Sequence, residues 1–198
     1  MSDAKLVELT LKGREDAFDE LMAKYRPRVV SFCHDLVADF DEANDLAQEV
    51  FVEAYRSLPS LKSRGDFGSW IFGVAANCCK VWLRKRRRRR VFAAGSPAEI
   101  ALRGGDPPRP IEALEDRDLV GRILDCLRAL PPEYRIVAAL RLESNLKGPE
   151  IAEFLGLPVA TVRMRLSRAK KMIREQLARL SVDGGETDNV YPPSSGGV

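Results

Sequence analysis

Residues 149–166, PEIAEFLGLPVATVRMRL, contain two short amphipathic segments separated by a glycine and a proline. In the first segment apolar side chains recur at helical spacing, and the small Ala152 allows a second helix to cross closely. Gly156 can adopt the positive φ that a sharp turn after a helix requires, and Pro158 favours the start of the next helix. The stretch therefore predicts a helix-turn-helix.

The second helix of this motif is expected to have an apolar side and a basic side. In a helix-turn-helix the second helix enters the major groove, where arginine can bond a guanine edge or hold a phosphate. Each good two-donor contact with a base contributes about 1–3 kcal/mol of discrimination. The side chains expected to face DNA are Thr161, Arg163, Arg165 and Arg168. An ordinary helical hairpin with a solvated basic face is the competing interpretation, and base-reading arginines cannot be told from phosphate-holding ones.

A second segment, residues 67–90, combines aromatic residues with a basic run that begins at Arg84. Such a surface suits unpaired nucleic acid, because rings stack on bases and arginines hold the backbone. Stacking contributes roughly 1–3 kcal/mol per base, comparable to the few kcal/mol that unstacking a base costs. Asn77 has donors and acceptors for a base edge. For each aromatic ring on its own, packing in the core is the favoured interpretation, and the basic run is equally typical of a nonspecific anchor.

A third segment, residues 41–55, predicts an amphipathic helix with Leu46 and Val50 on its core side. Its other side is acidic and includes Asp45 and Glu49. An acidic helix in a protein that grips DNA is unsuited to touching DNA and suits a basic protein partner. A merely solvated face would be the favoured interpretation if this helix stood alone.

The chain as a whole is predicted to be all-α, because apolar residues follow helical spacing and no useful run alternates with period two. Glycine and proline concentrate in residues 93–110, which predicts a flexible linker between two small helical domains. We expect the domains at residues 1–92 and 111–181, the second containing the helix-turn-helix, and a disordered tail at residues 182–198.

Within the first domain, proline positions predict where helices begin and end. Pro27 is placed in the first turn of a second helix, and Pro59 ends a third helix that runs from about residue 41 to residue 57. A polar loop at residues 60–66 then precedes a fourth helix that starts near Phe67.

Composition excludes several classes of protein. The chain has 198 residues, 45% of them hydrophobic and 31% charged, which fits a globular protein and not wholesale disorder. Its net charge of +3 is modest, so the local basic runs at residues 84–90 and 163–174 are the more telling feature. No apolar stretch approaches the roughly 20 residues that span a bilayer, and the N-terminus lacks a signal-peptide core. We therefore expect a cytoplasmic protein with no membrane insertion.

The cysteines and the single histidine predict neither a metal site nor a cofactor. The four cysteines form no C-x-x-C pair, and His34 beside Cys33 does not complete a tetrahedral zinc site. Free thiols are the favoured interpretation, and oxidation sensing by Cys78 and Cys79 is a minor alternative. We find no Gly-rich phosphate loop and no catalytic constellation, so an enzyme is not predicted.

Taken together, the three segments resemble the extracytoplasmic-function (ECF) group of sigma factors in the sigma-70 family of RNA polymerase subunits. DLAQEVF at residues 45–51 resembles the family's polymerase-docking helix, and residues 67–90 resemble its promoter-melting helix. LRALPPEYR at residues 127–135 and the helix-turn-helix resemble the domain that recognises the minus-thirty-five element. The resemblance covers roughly residues 5–90 and 111–180, in the family's order.

The resemblance implies a role for each group of residues. A coiled coil of the polymerase's largest subunit would bind Asp45, Gln48, Glu49 and Phe51. Melted minus-ten DNA would contact Ser63, Arg64, Asp66, Phe67, Trp70, Asn77, Lys80 and Arg84. The minus-thirty-five duplex would contact the recognition-helix residues named above. The linker would run toward the RNA exit path, and the implied partners are core RNA polymerase, promoter DNA and an anti-sigma factor, with a monomeric free protein.

Three departures from the family bear on promoter choice. Val81 stands where many members have an acidic or amide residue, and Met164 stands where serine is common. Residues 146–149, LKGP, replace a turn that more often contains an aromatic residue. A helix-turn-helix regulator that binds duplex DNA without polymerase is the competing function.

Overall fold

The computed structural model describes residues 1–63, 66–93, 119–144 and 146–183, with the backbone alone at residues 90–93, 119 and 181–183. Regular structure in these ranges is helical, as predicted. The N-terminal half contains α1 (Asp3–Leu11), α2 (Glu15–Val37), α3 (Phe40–Ser57), a 3-10 turn (Leu58–Ser60) and α4 (Phe67–Ala93). The C-terminal half contains α5 (Leu119–Arg128), α6 (Pro132–Glu143), α7 (Gly148–Leu155) and α8 (Val159–Asp183). Arg64, the predicted linker after Ala93 and the predicted tail from residue 184 lie outside the described residues.

The prediction that a helix begins at Pro27 is wrong, because α2 continues through this residue. Proline lacks the N–H that would bond the carbonyl four residues earlier, which ordinarily costs about 3 kcal/mol inside a helix. Here Tyr25 and Val29 are both buried on the core side, one on each side of the proline. Burial of the flanking residues therefore holds the helix together across the missing bond.

α3 follows the sequence prediction closely. Asp39 caps its N-terminus, where the carboxylate accepts hydrogen bonds from the N–H groups of Asp41 and Glu42, both at 3.1 Å. Its core side includes Leu46 and Val50, as expected from their spacing. Capping fixes where α3 begins, and one-sided burial fixes which side of it faces solvent.

The helix-turn-helix is present as predicted, formed by α7 and α8. Gly156 ends α7 with φ at +59°, and the N–H of Leu157 bonds the carbonyl of Ala152 at 3.0 Å. Val162 and Ala169 are buried on the inner side of α8. The turn chemistry thereby sets the angle at which α8 leaves the domain.

The two halves pack against each other, which the sequence did not predict. Their buried apolar side chains form one continuous cluster. α6 contacts both α2 and α4, α7 contacts α4, and α5 contacts α2. Arg128 of α5 donates to the buried carboxylate of Asp35 in α2 at 2.7 Å, which anchors this interface electrostatically. The outer arginines of α4 stay at the surface in this arrangement.

Candidate nucleic-acid interface

The first turns of α4 are anchored by aromatic packing. Phe67 is fully buried, with its ring centroid 5.4 Å from that of Tyr25 and 5.7 Å from that of Trp70. Trp70 is 8% exposed. Both rings therefore contact protein in this conformation, and stacking on a base would require them to leave these contacts.

The loop before α4 is exposed at both of its described candidate positions. Ser63 and Asp66 lie at the surface, and the N–H of Asp66 donates to the carbonyl of Ser63 at 3.0 Å. Arg64, between them, lies outside the described residues.

The remaining candidates on α4 share one side of the helix. Asn77 and Lys80 are half-buried and Arg84 is exposed, at spacings of three and four residues. The ammonium of Lys80 donates to the carbonyl of Leu155, the last residue of α7. Burial lowers the pKa of Lys80, and the nearby positive charges of Arg84 and Arg165 lower it further.

The end of α4 presents a dense set of cations. The side chains of residues 84, 85 and 87–89 are exposed. Arg86 instead lies over the ring of Trp82 at 4.9 Å and donates to the carbonyl of Val37 at 3.3 Å. Trp82 donates to the Glu42 carboxylate at 2.9 Å. Arg86 and Trp82 thus hold α4 against the ends of α2 and α3, while the exposed cations lie where they can meet a polyanion.

The recognition helix α8 places its candidate residues outward. Arg163 and Arg168 are exposed, and Thr161 and Arg165 are half-buried. Arg168 donates to the hydroxyl of Tyr134 at 3.2 Å, a contact that ties the guanidinium to the neighbouring helix α6. Sequence reasoning missed this partner, because Tyr134 lies on α6 and no local pattern relates it to α8.

The predicted docking helix α3 exposes three of its four candidates. Asp45, Gln48 and Glu49 lie at the surface, whereas Phe51 is 4% exposed. Phe51 lines an apolar groove between α2 and α3 together with residues of both helices: Phe18, Met22, Ala47, Val52 and Tyr55. Gln48, Arg26 and Arg56 also line this groove. The sequence prediction missed the contribution of α2, although Phe18 and Met22 are four residues apart on one helix side.

Cys33 and Cys79 meet where α2 packs against α4 rather than in a ligand cluster. Sγ of Cys79 is 3.7 Å from Sγ of Cys33, and both residues are buried. All four cysteines are free, and no group of candidate metal ligands occurs among the residues that the structure describes. In the same ranges no helix has the length and apolarity needed to cross a bilayer.

Cys78 provides a test of this packing. Burial, followed by the nearby Cys33, Glu49 and Glu53, raises the pKa of Cys78 to about 11. The thiolate is the reactive form, so iodoacetamide should modify Cys78 slowly in the folded protein at about pH 8. The rate should then rise about tenfold with each pH unit until the pH reaches the pKa of Cys78, about 11. Peptide mass spectrometry against pH measures this. Saturation of the rate at about pH 8.5, as in the urea-unfolded chain, would contradict the half-buried position of Cys78.

Two family profiles match the chain, one in each half. The family profile of Sigma-70 region 2 matches residues 21–89, and that of Sigma-70, region 4 matches residues 121–173. The RNA polymerase sigma-H factor of Pseudomonas aeruginosa is 31% identical, with 90% of this chain and 95% of that protein covered. The ECF RNA polymerase sigma-E factor of Escherichia coli is also 31% identical, with coverages of 91% and 96%.

Solved structures share the fold. The sigma factor RpoE from Bartonella quintana, in complex with the anti-sigma factor NepR, has a TM-score of 0.60 and 21% identity over 81% of this chain and 96% of its own. CnrH, in complex with the cytosolic domain of CnrY, has a TM-score of 0.59 and 22% identity over 89% and 97%. The competing interpretation as a polymerase-independent regulator is not favoured by these matches. Two sigma-70 regions in order, and relatives aligned along nearly their whole length, establish that the chain belongs to the ECF sigma factors, a group of transcription initiation factors in the sigma-70 family.

Proposed function

We propose that this chain binds core RNA polymerase, directs it to specific promoters and assists promoter opening. The observation that carries the proposal is the distribution of charge on the fold. Exposed cations lie on α4 and α8, and exposed acidic residues lie on α3. A polyanion and a basic protein surface therefore have separate places to bind on one small chain.

The acidic side of α3 would dock on the polymerase. Asp45, Gln48 and Glu49 are exposed there, and Phe51 forms a wall of the apolar groove beside them. The groove suits the apolar stripe of a partner helix, and the exposed acidic residues of α3 suit basic residues of the same partner, away from Arg26 and Arg56 of the groove lining. The exposed acidic residues of α3 would speed association, and burial of apolar surface in the groove would slow dissociation.

The recognition helix α8 would bind the duplex upstream of the start site. Arg163, Arg165 and Arg168, with Thr161 at the helix start, are the proposed contacts. Their guanidinium groups can bond base edges or phosphates, and each two-donor base contact contributes about 1–3 kcal/mol of discrimination.

The α4 helix and the loop before it would hold the melted strand downstream. The proposed contacts are Ser63, Arg64, Asp66, Phe67, Trp70, Asn77, Lys80 and Arg84. Binding free energy from stacking and phosphate contacts offsets base unpairing, so this step needs no covalent chemistry from the chain.

We further propose domain boundaries and partners. Residues 1–92 would act on polymerase and melted DNA, residues 111–181 on duplex DNA, and residues 93–110 would link them. The Bartonella quintana structure is described as a sigma factor with an anti-sigma factor, which supports a similar inhibitory partner here. We propose that the chain is monomeric without its partners and acts in the cytoplasm, where polymerase and promoters are found.

Run-off transcription tests the proposal. A pool of duplexes with a randomised upstream region is incubated with core polymerase from the source organism, with and without the protein, and retained templates are sequenced. We expect discrete transcripts and an enriched bipartite promoter only when the protein is present. Tight selection of duplex DNA by the protein alone, with no transcript after core polymerase is added, would instead support a polymerase-independent regulator.

The docking assignment gives a narrower prediction. Replacing Asp45 and Gln48 with alanine should weaken binding to core polymerase about tenfold or more, because two exposed docking side chains are removed while the core side of α3 is retained. Titration of labelled protein with core polymerase measures this. Glu8→Ala on α1 removes one acidic group far from α3 along the chain, half-buried and paired with Lys5 and Lys12, as a control. Equal affinity of the double variant and wild type would argue against docking through α3.

A further inference from the structure

Met164 is an apolar side chain that the recognition helix leaves exposed. It is 42% exposed, and it is the one large apolar residue in that class within residues 159–180, the part of α8 whose side chains the structure describes. A single exposed apolar residue is ordinary on a protein surface. Its position on the helix therefore decides whether it has a function.

That position lies almost opposite the buried side of α8. Val162 and Ala169 are buried on the inner side. Successive residues of an α-helix are about 100° apart, so Met164 lies about 200° around the helix from Val162. Ala160 and Ser167, one turn before and one turn after Met164, are exposed on the same stripe. The outermost stripe in the first turns of α8 is therefore uncharged.

Arginines border this stripe on both sides. Arg163 is exposed on one flank. Arg165 and Arg168 lie on the other flank, where Arg168 donates to the hydroxyl of Tyr134 on α6 at 3.2 Å. A helix with its side chains is about as wide as the major groove, roughly 12 Å, so its outermost stripe meets the base pairs and its flanks lie nearer the phosphates. Met164 would thus face base edges between two basic flanks.

From this placement we infer that Met164 determines part of the promoter specificity: it contacts the C5-methyl group of a thymine in the upstream element and so favours thymine at that position. The inference rests on the proposed function of α8. In the major groove thymine alone among the four bases presents a methyl group, which apolar side chains contact. The unbranched thioether can adapt its shape to bury this methyl. The amino group of a cytosine in its place would lose water without gaining a partner.

Deoxyuridine provides the test, because it lacks only the methyl group of thymidine and keeps the same base pairing. Duplexes carry the upstream element selected in the run-off experiment and end before the minus-ten element, so that melting plays no part. Each thymine of the element, on either strand, is replaced in turn by deoxyuridine. Competition binding then gives the affinity of the reconstituted holoenzyme for each duplex.

Three variants of the full chain accompany the wild type. Met164→Ser replaces the apolar surface with a small hydroxyl, whereas Met164→Leu keeps an apolar side chain of similar size. Leu11→Ser is the matched control, because Leu11 is also 42% exposed but lies on α1. All three positions of change are at the surface, so the fold should be retained.

At one thymine we expect loss of the methyl group to weaken wild-type binding about fourfold, which corresponds to the roughly 0.8 kcal/mol of one buried methyl group. Leu11→Ser should show the same loss, and Met164→Leu should keep most of it. Met164→Ser should bind the unmodified duplex about fourfold more weakly and should bind the thymidine and deoxyuridine duplexes equally, because the two partners of one contact do not act additively.

Two results would overturn the inference. One is wild-type binding that is unchanged by deoxyuridine at every thymine of an element that the holoenzyme prefers over a scrambled one. The other is an equal loss in Met164→Ser and wild type, which would assign the methyl contact to another residue. Failure of the proposed function looks different: the wild-type holoenzyme would bind intact and scrambled upstream elements equally and give no specific run-off transcript.

Discussion

Replacing Phe72 with alanine is expected to lower the free energy of unfolding by about 3–5 kcal/mol, a large part of the roughly 5–15 kcal/mol that keeps a domain folded. Phe72 is fully buried, and its ring meets that of Phe32 edge to face at 5.4 Å. The guanidinium of Arg28 lies over the same ring. The substitution removes the apolar contacts, leaves a cavity between α2 and α4, and deprives Arg28 of its cation–π partner.

Urea unfolding followed by circular dichroism measures the Phe72 effect. Leu142→Ala is the control, because Leu142 is 59% exposed and surface truncations usually change stability by about 0.5 kcal/mol or less. A destabilisation at Phe72 no larger than that at Leu142 would show that α4 is not held against α2 by this ring.

Replacing Arg163, Arg165 and Arg168 together with alanine should weaken upstream-element recognition by the holoenzyme about a hundredfold or more. Each good base contact contributes about 1–3 kcal/mol, and every arginine that holds a phosphate also contributes counterion release. The plot of log affinity against log salt concentration should become shallower by about 0.9 for each phosphate that the variant no longer neutralises. The loss of discrimination reports base contacts made by this set of arginines, and the change in salt slope reports its phosphate contacts, a balance that the sequence leaves undecided.

Binding of the reconstituted holoenzyme to promoters with intact and scrambled upstream elements, at several salt concentrations, measures this prediction. Replacing Lys5, Lys12 and Arg14 with alanine removes the same number of cations from the N-terminal end and serves as the charge-matched control. If the α8 variant keeps both its preference for the intact element and its salt slope, those arginines are merely solvated.

Local rules in the sequence predicted most of the helices. The positive φ at Gly156 and the starts of α3 and α4 follow from caps, turns and apolar spacing, all of which act within a few residues. Pro27 is the exception. A local rule placed a helix start there, but burial of Tyr25 and Val29 on the core overrides it. Tertiary packing decides such cases, and no local window contains that information.

Local rules could not predict the contact between the two halves, for a related reason. Apolar spacing predicts that one side of α4 is buried but does not identify the element that covers it. Gly73 and Phe154 meet across the interface, although nothing in either local sequence indicates the other. The same limit applies to Phe51: the sequence placed it on the docking helix, whereas its position in the wall of a groove depends on Phe18 and Met22 of α2.

Permanganate reactivity of promoter thymines tests the central claim, that binding energy from two helical modules and a polymerase opens DNA. A selected promoter is mixed with core polymerase, with the protein, or with both, without nucleotides. We predict reactive non-template thymines near the minus-ten element only when both are present, with reduced reactivity for Asn77→Ala. Reactive thymines with the protein alone, or none with both, would contradict the claim.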